Sequence, residues 1–230
     1  MRLIVKRAAP RALDRERAAR VAFADLSTET RQEMREALMV EQYGLCCFCM
    51  SPIRADASAM RLAHLVPQSQ PDGRDRTLDW TNLFAACSGG ERHGAKSPRE
   101  TQHCDVRQGD AILAINPTNP RDIGTLSYRH SPPAVLRGAV APHAGYEITS
   151  TNAAIARDLT ENLNLNLPWL CDDRKAALSA LLDALLAKGE ITRARLELAL
   201  PCFETARTGE SLPPFAGFVA WWLRKRLGRR

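Results

Sequence analysis

The sequence predicts an α+β protein in which a small, loop-rich module lies between a basic N-terminal segment and a mostly α-helical C-terminal region. Three observations favour this fold class. Cysteine, histidine, glycine and proline interrupt short apolar runs over residues 44–120, and stretches with helical periodicity lie on both sides. A chain of 230 residues with 45% hydrophobic content is long enough to bury one substantial core without disulfides.

The first region, residues 1–43, is predicted to be a basic arm followed by a helix. The helix covers TETRQEMREALMVEQY, from Thr28 to about Tyr43, with Thr30 and Glu33 spaced as a capping box and Gly44 placed to end it. The net charge of +6 is concentrated near the two ends of the sequence. Such charge can neutralise phosphates, but solvated helix faces explain it equally well.

The middle region, residues 44–120, carries the candidate metal ligands. Cys46 and Cys49 form a C-x-x-C pair, and Cys87 and Cys104 follow beside polar and turn-forming residues. Four thiolates give zinc a closed tetrahedral shell, which is typical of a structural site. The alternative is that these four are unlinked thiols that behave as small hydrophobes. We predict that behaviour for Cys47, Cys171 and Cys202.

Targeting and compartment signals favour a cytoplasmic protein with no membrane partner. Only Leu3 to Val5 forms an apolar run near the start, too short for a signal peptide, and no run approaches the length of a membrane span. An odd number of cysteines, seven, favours free thiols and metal ligands over a disulfide framework.

The third region, residues 121–230, is predicted to be a connector followed by helices. SPPAVLRGAVAP is interpreted as a strand-poor connector, and helices are expected at about 151–164, 170–188, 190–199 and 214–227. The last helix carries an apolar stripe, which is typical of core, with docking on a partner subunit as the alternative. The stripe consists of Phe215, Phe218, Val219, Trp222 and Leu223.

Motifs between and after the cysteines bear a family resemblance. AHLVPQS, LDWTNLFAAC and HCDVRQGD give the order C-x-x-C, H-x-x-P, N-L-x-x-x-C, C-D, which resembles the HNH endonucleases of the four-cysteine type. The resemblance implies a ββα-metal core over residues 44–120. In that core, structural zinc pins the hairpin and helix, and a separate Mg²⁺ or Mn²⁺ ion does the chemistry.

The resemblance also implies roles for the site residues. His64 would be the general base that activates water, and Asn82 would bridge the loop and fix the His64 ring. Asp105 is the expected ligand of the catalytic ion and His103 its rival, because a hard carboxylate suits Mg²⁺. Two positions depart from the pattern: Ala63 stands where many HNH motifs carry Asp or Glu, and Gln108 where a basic residue is usual.

Longer similarities narrow the family. MRLIVKRAAPRAL, LDWTNLFAACSGG, QHCDVRQGD and LNLNLPWLCDDRKAAL resemble the HNH nuclease subunit of Septu anti-phage systems and its retron-associated relatives. This implies a DNA substrate and an ABC-type ATPase partner, with Arg107 and Lys96 placed to contact phosphates. The alternatives are a stand-alone HNH nuclease of restriction or repair and a non-catalytic zinc module that binds nucleic acid or a protein.

Overall fold

Residues 1–43 form an arm and two helices. The computed structural model describes residues 1–90, 97–131, 134–136, 139–141, 145–207 and 209–228, the two short ranges by backbone alone. Helix α1 covers Arg11–Ala18, a 3₁₀ turn follows at Phe23–Asp25, and α2 covers Thr28–Gln42. Tyr43 ends α2 in the left-handed conformation, and the Gly44 N–H donates to the Met39 carbonyl.

The start of α2 differs from the predicted capping box. Ser27 is the N-cap, and its hydroxyl accepts a hydrogen bond from the Thr30 N–H at 3.1 Å. The Thr30 hydroxyl instead donates to Glu16 of α1 at 2.6 Å. Thr30 therefore sits inside the first turn, and its side chain joins two helices because α1 packs beside it.

The middle region contains a two-stranded antiparallel sheet and short helices. Strand β1 covers Arg61–His64, α3 covers Pro71–Arg74, β2 covers Leu83–Ala86 and α4 covers Cys104–Gln108. Antiparallel pairing sets His64 opposite Leu83, and α4 packs against β1. Strand β2 is buried along its whole length, as expected of a strand covered on both faces.

The C-terminal half contains two more small sheets and most of the helices. Helix α5 covers Pro120–Gly124, followed by strands β3 at Leu126–His130, β4 at Ala134–Leu136, β5 at Ala139–Ala141 and β6 at Tyr146–Ser150. Strand β3 pairs with β6, and β4 pairs with β5. The helices are α6 at Ala153–Arg157, continued by a π-helical turn at Asp158–Asn162, then α7 at Pro168–Leu186, α8 at Arg193–Ala199, α9 at Pro201–Glu204 and α10 at Ala216–Leu227.

The predicted helices of this half are found with shifted ends, but the strand-poor connector is wrong. Strands β4 and β5 lie inside that segment, where prolines, a glycine and alanines mask the strand signal of its valines. The short helix α9 is also absent from the sequence prediction. Pro201 looks like a helix stop in the sequence, but it occupies the first position of a new helix.

One hydrophobic core joins the three regions. It contains buried residues from Met1 to Leu227 and includes the cysteines of the middle region. The arm is held by a buried ion pair, in which Lys6 Nζ lies 2.6 Å from Glu41 Oε2 of α2 and donates to the Leu83 carbonyl at 2.9 Å. The Trp80 indole donates to the same carboxylate. Among the described residues, no helix combines the length and apolar character needed to cross a bilayer.

Candidate metal centre and the neighbouring histidine

Four cysteines converge in the middle region. The sulfurs of Cys46, Cys49, Cys87 and Cys104 all lie within 4.8 Å of one another. Cys46 Sγ is 3.8 Å from Cys104 Sγ, and Cys49 Sγ is 3.7 Å from Cys87 Sγ. Zn–S bonds of about 2.3 Å at tetrahedral angles put neighbouring sulfurs about 3.8 Å apart. The four thiols therefore have the spacing of a zinc site and not that of disulfides, and the predicted ligand set is confirmed as one that could hold such an ion.

A tight turn presents the first pair. The Met50 N–H donates to the Cys46 carbonyl at 3.1 Å, and Met50 takes a left-handed φ of 69°. The turn then lets the Ser51 N–H point at Cys49 Sγ, at 3.4 Å. A backbone donor on a sulfur stabilises the thiolate form, which is the form that binds metal.

A second turn presents the other pair. After Cys87 the chain turns through Gly89, whose φ is +63° and where a Cβ would meet the His103 carbonyl oxygen at 2.6 Å. Cys104 also has a positive φ, 57°, and its N–H donates to the Leu163 carbonyl at 2.9 Å. A cysteine in this conformation is strained, and it persists here because tertiary contacts hold it.

Cys47 is excluded from the cluster although it adjoins a ligand. Its N–H donates to the Ala85 carbonyl at 3.0 Å, which fixes this stretch against β2. Burial raises the pKa of the Cys47 thiol well above its ordinary range. All seven cysteines are free of disulfides, and Cys171 and Cys202 also lie outside the cluster.

The electrostatics of the cluster favour a cation. Burial opposes ionisation of Cys46, but hydrogen bonds from Cys104 and the other thiols outweigh it and hold the pKa of Cys46 well below its ordinary range. Burial raises the pKa of the Cys104 thiol well above its own. The Cys46 thiolate therefore forms readily, whereas ionisation of Cys104 needs a compensating positive charge, which a divalent ion supplies.

His103 lies against the cysteines. Its Nδ1 is 3.2 Å from Cys104 Sγ and 3.8 Å from Cys87 Sγ, and the side chain is buried. Burial also lowers the pKa of the imidazole, so the ring is neutral beside the thiols. The structure thus brings His103 to the zinc-type cluster, whereas the sequence interpretation places it on a catalytic ion with Asp105.

His64 ends strand β1 with its ring held at both nitrogens. Nε2 lies 3.0 Å from the Thr77 carbonyl oxygen, and Nδ1 lies 3.2 Å from the Gln68 side-chain nitrogen. The Phe23 ring packs edge-on against the imidazole, with centroids 4.6 Å apart. Burial lowers the pKa of His64, with the Thr77 carbonyl and the charge of Asp105 opposing that effect. The ring is therefore neutral at pH 7.

Asn82 is fully buried and clamps the loop between the two strands. Its Oδ1 accepts from the Val66 N–H at 2.8 Å, and its Nδ2 donates to the carbonyls of Val66 and Arg76 at 3.1 and 3.3 Å. The predicted loop-bridging contact is present. The His64 ring itself is held by Thr77 and Gln68, which belong to the loop that Asn82 clamps.

Asp105 pairs with a residue that the sequence interpretation misses. Arg61 Nε donates to Asp105 Oδ2 at 2.7 Å, with 46% of the arginine side chain and 16% of the aspartate side chain exposed. Burial raises the pKa of Asp105, although Arg61 opposes this. Side chains alternate between the two faces of a strand, so Arg61 lies on the same face of β1 as Ala63. This alternation is the signal in the sequence that could have pointed to Arg61.

The remaining predicted residues have structural roles or lie outside the described residues. Arg107 donates to the carbonyls of Glu161 and Arg99 at 3.0 and 2.8 Å, so part of its guanidinium is used by the backbone. Lys96 lies outside the described residues. Gln108 is buried and donates to the Leu65 carbonyl at 3.0 Å, which ties α4 to the end of β1.

The described residues contain one group of three or more converging His, Cys, Asp and Glu side chains, the four cysteines. Among the described residues, the predicted catalytic ion therefore has Asp105 but no preassembled set of protein ligands.

No protein-family model matches the sequence, and a search of curated proteins returns no match.

Proposed function

We propose that this chain is a metal-dependent endonuclease of the HNH type that hydrolyses phosphodiester bonds in DNA. The observation that carries the proposal is a neutral His64 with a defined basic nitrogen on β1, the strand against which α4 packs with Asp105 and the cluster ligand Cys104. The β1–β2 hairpin, with α4 against β1 and Cys104 opening α4, supports a ββα arrangement around this histidine.

The basic nitrogen follows from the hydrogen bonds. A carbonyl oxygen only accepts, so Nε2 carries the proton in its contact with Thr77, and Nδ1 keeps its lone pair for the Gln68 amide. Water that replaces this amide would lose its proton to Nδ1 as it attacks the phosphate. The Gln68 side chain is exposed, so it can leave without disturbing the core.

Asp105 would hold the catalytic ion, with water and substrate phosphate as the other ligands. Mg²⁺ commonly takes one or two carboxylates together with waters and phosphates, so a single aspartate with 16% of its side chain exposed fits this ion. Bound there, a divalent cation stabilises negative charge on the scissile phosphate and the leaving oxygen. His103 does not join this set, because it contacts the cysteines.

Arg61 would serve as the protein's own cation at the phosphate. Nearly half of its side chain is exposed beside Asp105, and a guanidinium is suited to phosphate oxygens. Arg61→Ala should therefore lower cleavage, and Arg54→Ala is the matched control. Arg54 is an exposed arginine of the same region, and its ion pair is with Asp56.

The proposed setting is an anti-phage complex with an ABC-type ATPase. It is supported by the resemblance of the sequence motifs to the Septu nuclease subunit and adds a partner that the isolated chain lacks. Co-expression of the chain with any ABC-type ATPase encoded beside it, followed by co-purification, tests this part separately. A chain that cuts alone and recovers no ATPase would favour the stand-alone nuclease.

A non-catalytic zinc module that binds nucleic acid is the second candidate. It is favoured by one observation, that the four cysteines are the single converging ligand group among the described residues. Zinc would then serve only folding, and His64 would be a packing residue against Phe23.

Cleavage assays separate the two candidates. Zinc-loaded protein is incubated with DNA with and without added Mg²⁺ or Mn²⁺, alone and with the ATPase, and compared with zinc-loaded His64→Ala. The nuclease proposal expects cleavage that needs the added ion and falls at least about 10²-fold in the variant, with DNA binding retained. Equal cleavage by the variant, or DNA binding without cleavage under every condition, would assign the zinc-module function.

A further inference from the structure

A cleft on the C-terminal helix combines aromatic and cationic side chains. It lies between α10 and the β3–β6 sheet and has a volume of about 530 Å³, within the range of about 300–1,000 Å³ typical of ligand sites. Its lining includes Trp221, Trp222 and Tyr146 as rings, and Arg129, Lys225 and Arg226 as cations. None of these residues belongs to the metal centre or the His64 site.

The rings are mounted on the core and remain partly accessible. Trp221, Trp222 and Tyr146 are half-buried. Tyr146 packs on the fully buried Phe218 at 4.7 Å between centroids, and the ring centroid of its cross-strand partner His130 lies 4.5 Å away. Rings that core contacts anchor while part of their surface stays exposed lose little entropy when a flat group stacks on that exposed part.

The cations are placed over the indoles. Lys225 Nζ lies 5.1 Å from the Trp221 ring centroid, and Arg226 Cζ lies 5.1 Å from that of Trp222. Each pair has the i, i+4 spacing that puts side chains on one helix face. In the described part of the chain, neither Lys225 nor Arg226 forms an ion pair, so their charge is available to an anion. Arg129 is a third cation of the cleft. Its side chain is 70% exposed and forms an ion pair with Glu147.

The helix that carries the cleft begins at the metal centre. The Phe215 N–H, just before α10, donates to the Met50 carbonyl next to Cys49 at 3.0 Å. Trp222 lies seven residues further along, roughly 10 Å by helical rise. The cleft is therefore about two helical turns from the turn that holds Cys49.

We propose that this cleft binds single-stranded nucleic acid, with bases stacked on Trp222 and Tyr146 and phosphates on Lys225 and Arg226. Alternating rings and cations match a ligand that alternates planar bases and phosphates. An acidic peptide would use the cations but supplies no planar group for each ring, so it fits the cleft less completely. The inference concerns binding alone and goes beyond the proposed hydrolysis.

Fluorescence anisotropy with a labelled oligothymidylate tests the cationic half. The full-length, zinc-loaded chain is titrated without added Mg²⁺ or Mn²⁺ over a series of salt concentrations. Lys225→Ala/Arg226→Ala should weaken binding at least about tenfold and reduce the slope of log K against log salt by about 1.4, because two phosphate contacts are lost. The control Lys175→Ala/Lys188→Ala removes the same charge from exposed positions on or next to α7 and should leave the slope unchanged.

Tryptophan substitutions test the aromatic half. Trp222→Ala should weaken binding by about 5- to 150-fold, the range that corresponds to loss of one stacked base. Trp222→Phe should restore most of the affinity. Trp169→Ala, at an exposed tryptophan of α7, is the control for a general effect of losing an indole. Zinc content and circular dichroism establish that each variant is folded. The double variant at exposed Lys225 and Arg226 still tests the proposal if Trp222→Ala does not fold.

Two results would overturn the proposal. One is equal weakening by the cleft pair and the α7 pair, which would show unspecific attraction to net charge. The other is displacement of the oligonucleotide by polyglutamate at matched charge concentration, which would assign the cleft to an acidic protein partner. If the chain binds DNA through the cleft but does not cleave it, the nuclease proposal is wrong and this inference stands. If the chain cleaves DNA and the cleft variants bind it as the wild type does, this inference is wrong and the nuclease proposal stands.

Discussion

The Nε2 of His64 and the carbonyl oxygen of Thr77 lie 3.0 Å apart, and this single contact sets the tautomer of the ring. Because the carbonyl can only accept, the proton resides on Nε2 and the lone pair on Nδ1. The contact exists because Asn82 clamps the loop that carries Thr77. Its consequences for pH dependence and stability can be measured, as can the metal content of the neighbouring cluster.

The pH profile of cleavage should have its acid limb below the ordinary histidine pKa. Burial lowers the pKa of His64, so the imidazole stays neutral and basic at pH values below about 6.5, where a free histidine already protonates. Cleavage should therefore be flat through neutrality and fall only at more acidic pH. Single-turnover rates over pH 4.5 to 8, roughly the span in which histidines titrate, would show this. A limb above 6.5, or one retained in His64→Ala, would mean that another group supplies the base.

Zinc content should discriminate between adjacent cysteines. Cys46→Ser removes a sulfur of the four-cysteine cluster, and Cys47→Ser removes one that lies outside it. Elemental analysis should find about one zinc per chain in the wild type and in Cys47→Ser, and much less in Cys46→Ser. The reverse pattern would show that the ligand register is shifted by one residue.

Loss of the Asn82 clamp should affect both stability and cleavage. Asn82→Ala leaves partly buried Val66 and Arg76 backbone groups without this partner and should lower the free energy of unfolding by about 1–3 kcal/mol. Cleavage should fall as well, because the loop positions Thr77 and Gln68 on His64. Zinc content should stay normal.

Asn119→Ala is the control for that variant. Asn119 caps α5 and lies outside the His64 loop, so its loss should cost roughly 1 kcal/mol without a change in cleavage. Urea denaturation and single-turnover cleavage measure the two effects. If cleavage falls equally in both variants, the loss of stability alone explains the effect of Asn82→Ala on cleavage.

The buried ion pair of the arm should be costly to break. In Glu41→Gln, Lys6 keeps its charge in a buried position without its partner, and we expect destabilisation by about 3–5 kcal/mol. The exposed pair Arg17–Asp14 is the comparison, and Asp14→Asn should cost less than about 1 kcal/mol. Denaturant unfolding measures both. A small effect of Glu41→Gln would indicate that water reaches Lys6.

The residue pattern alone determined the local and chemical features of this protein. Helix α2, the apolar stripe of α10 and the set of four cysteines could be predicted because helical periodicity and ligand chemistry are expressed by neighbouring residues or by residue type. The stripe is indeed core at Phe215, Phe218, Val219 and Leu223. Trp222 differs, because it is half-buried and lines the cleft.

Only the tertiary structure decided which distant side chains meet. Arg61 and Asp105 are 44 positions apart and Lys6 and Glu41 are 35 apart, and no local pattern records such pairings. His103 lies toward the cysteines because the Gly89 turn and the strained Cys104 backbone set its direction. The His64 tautomer depends on a loop carbonyl, which is present in every residue and therefore carries no signal in the sequence.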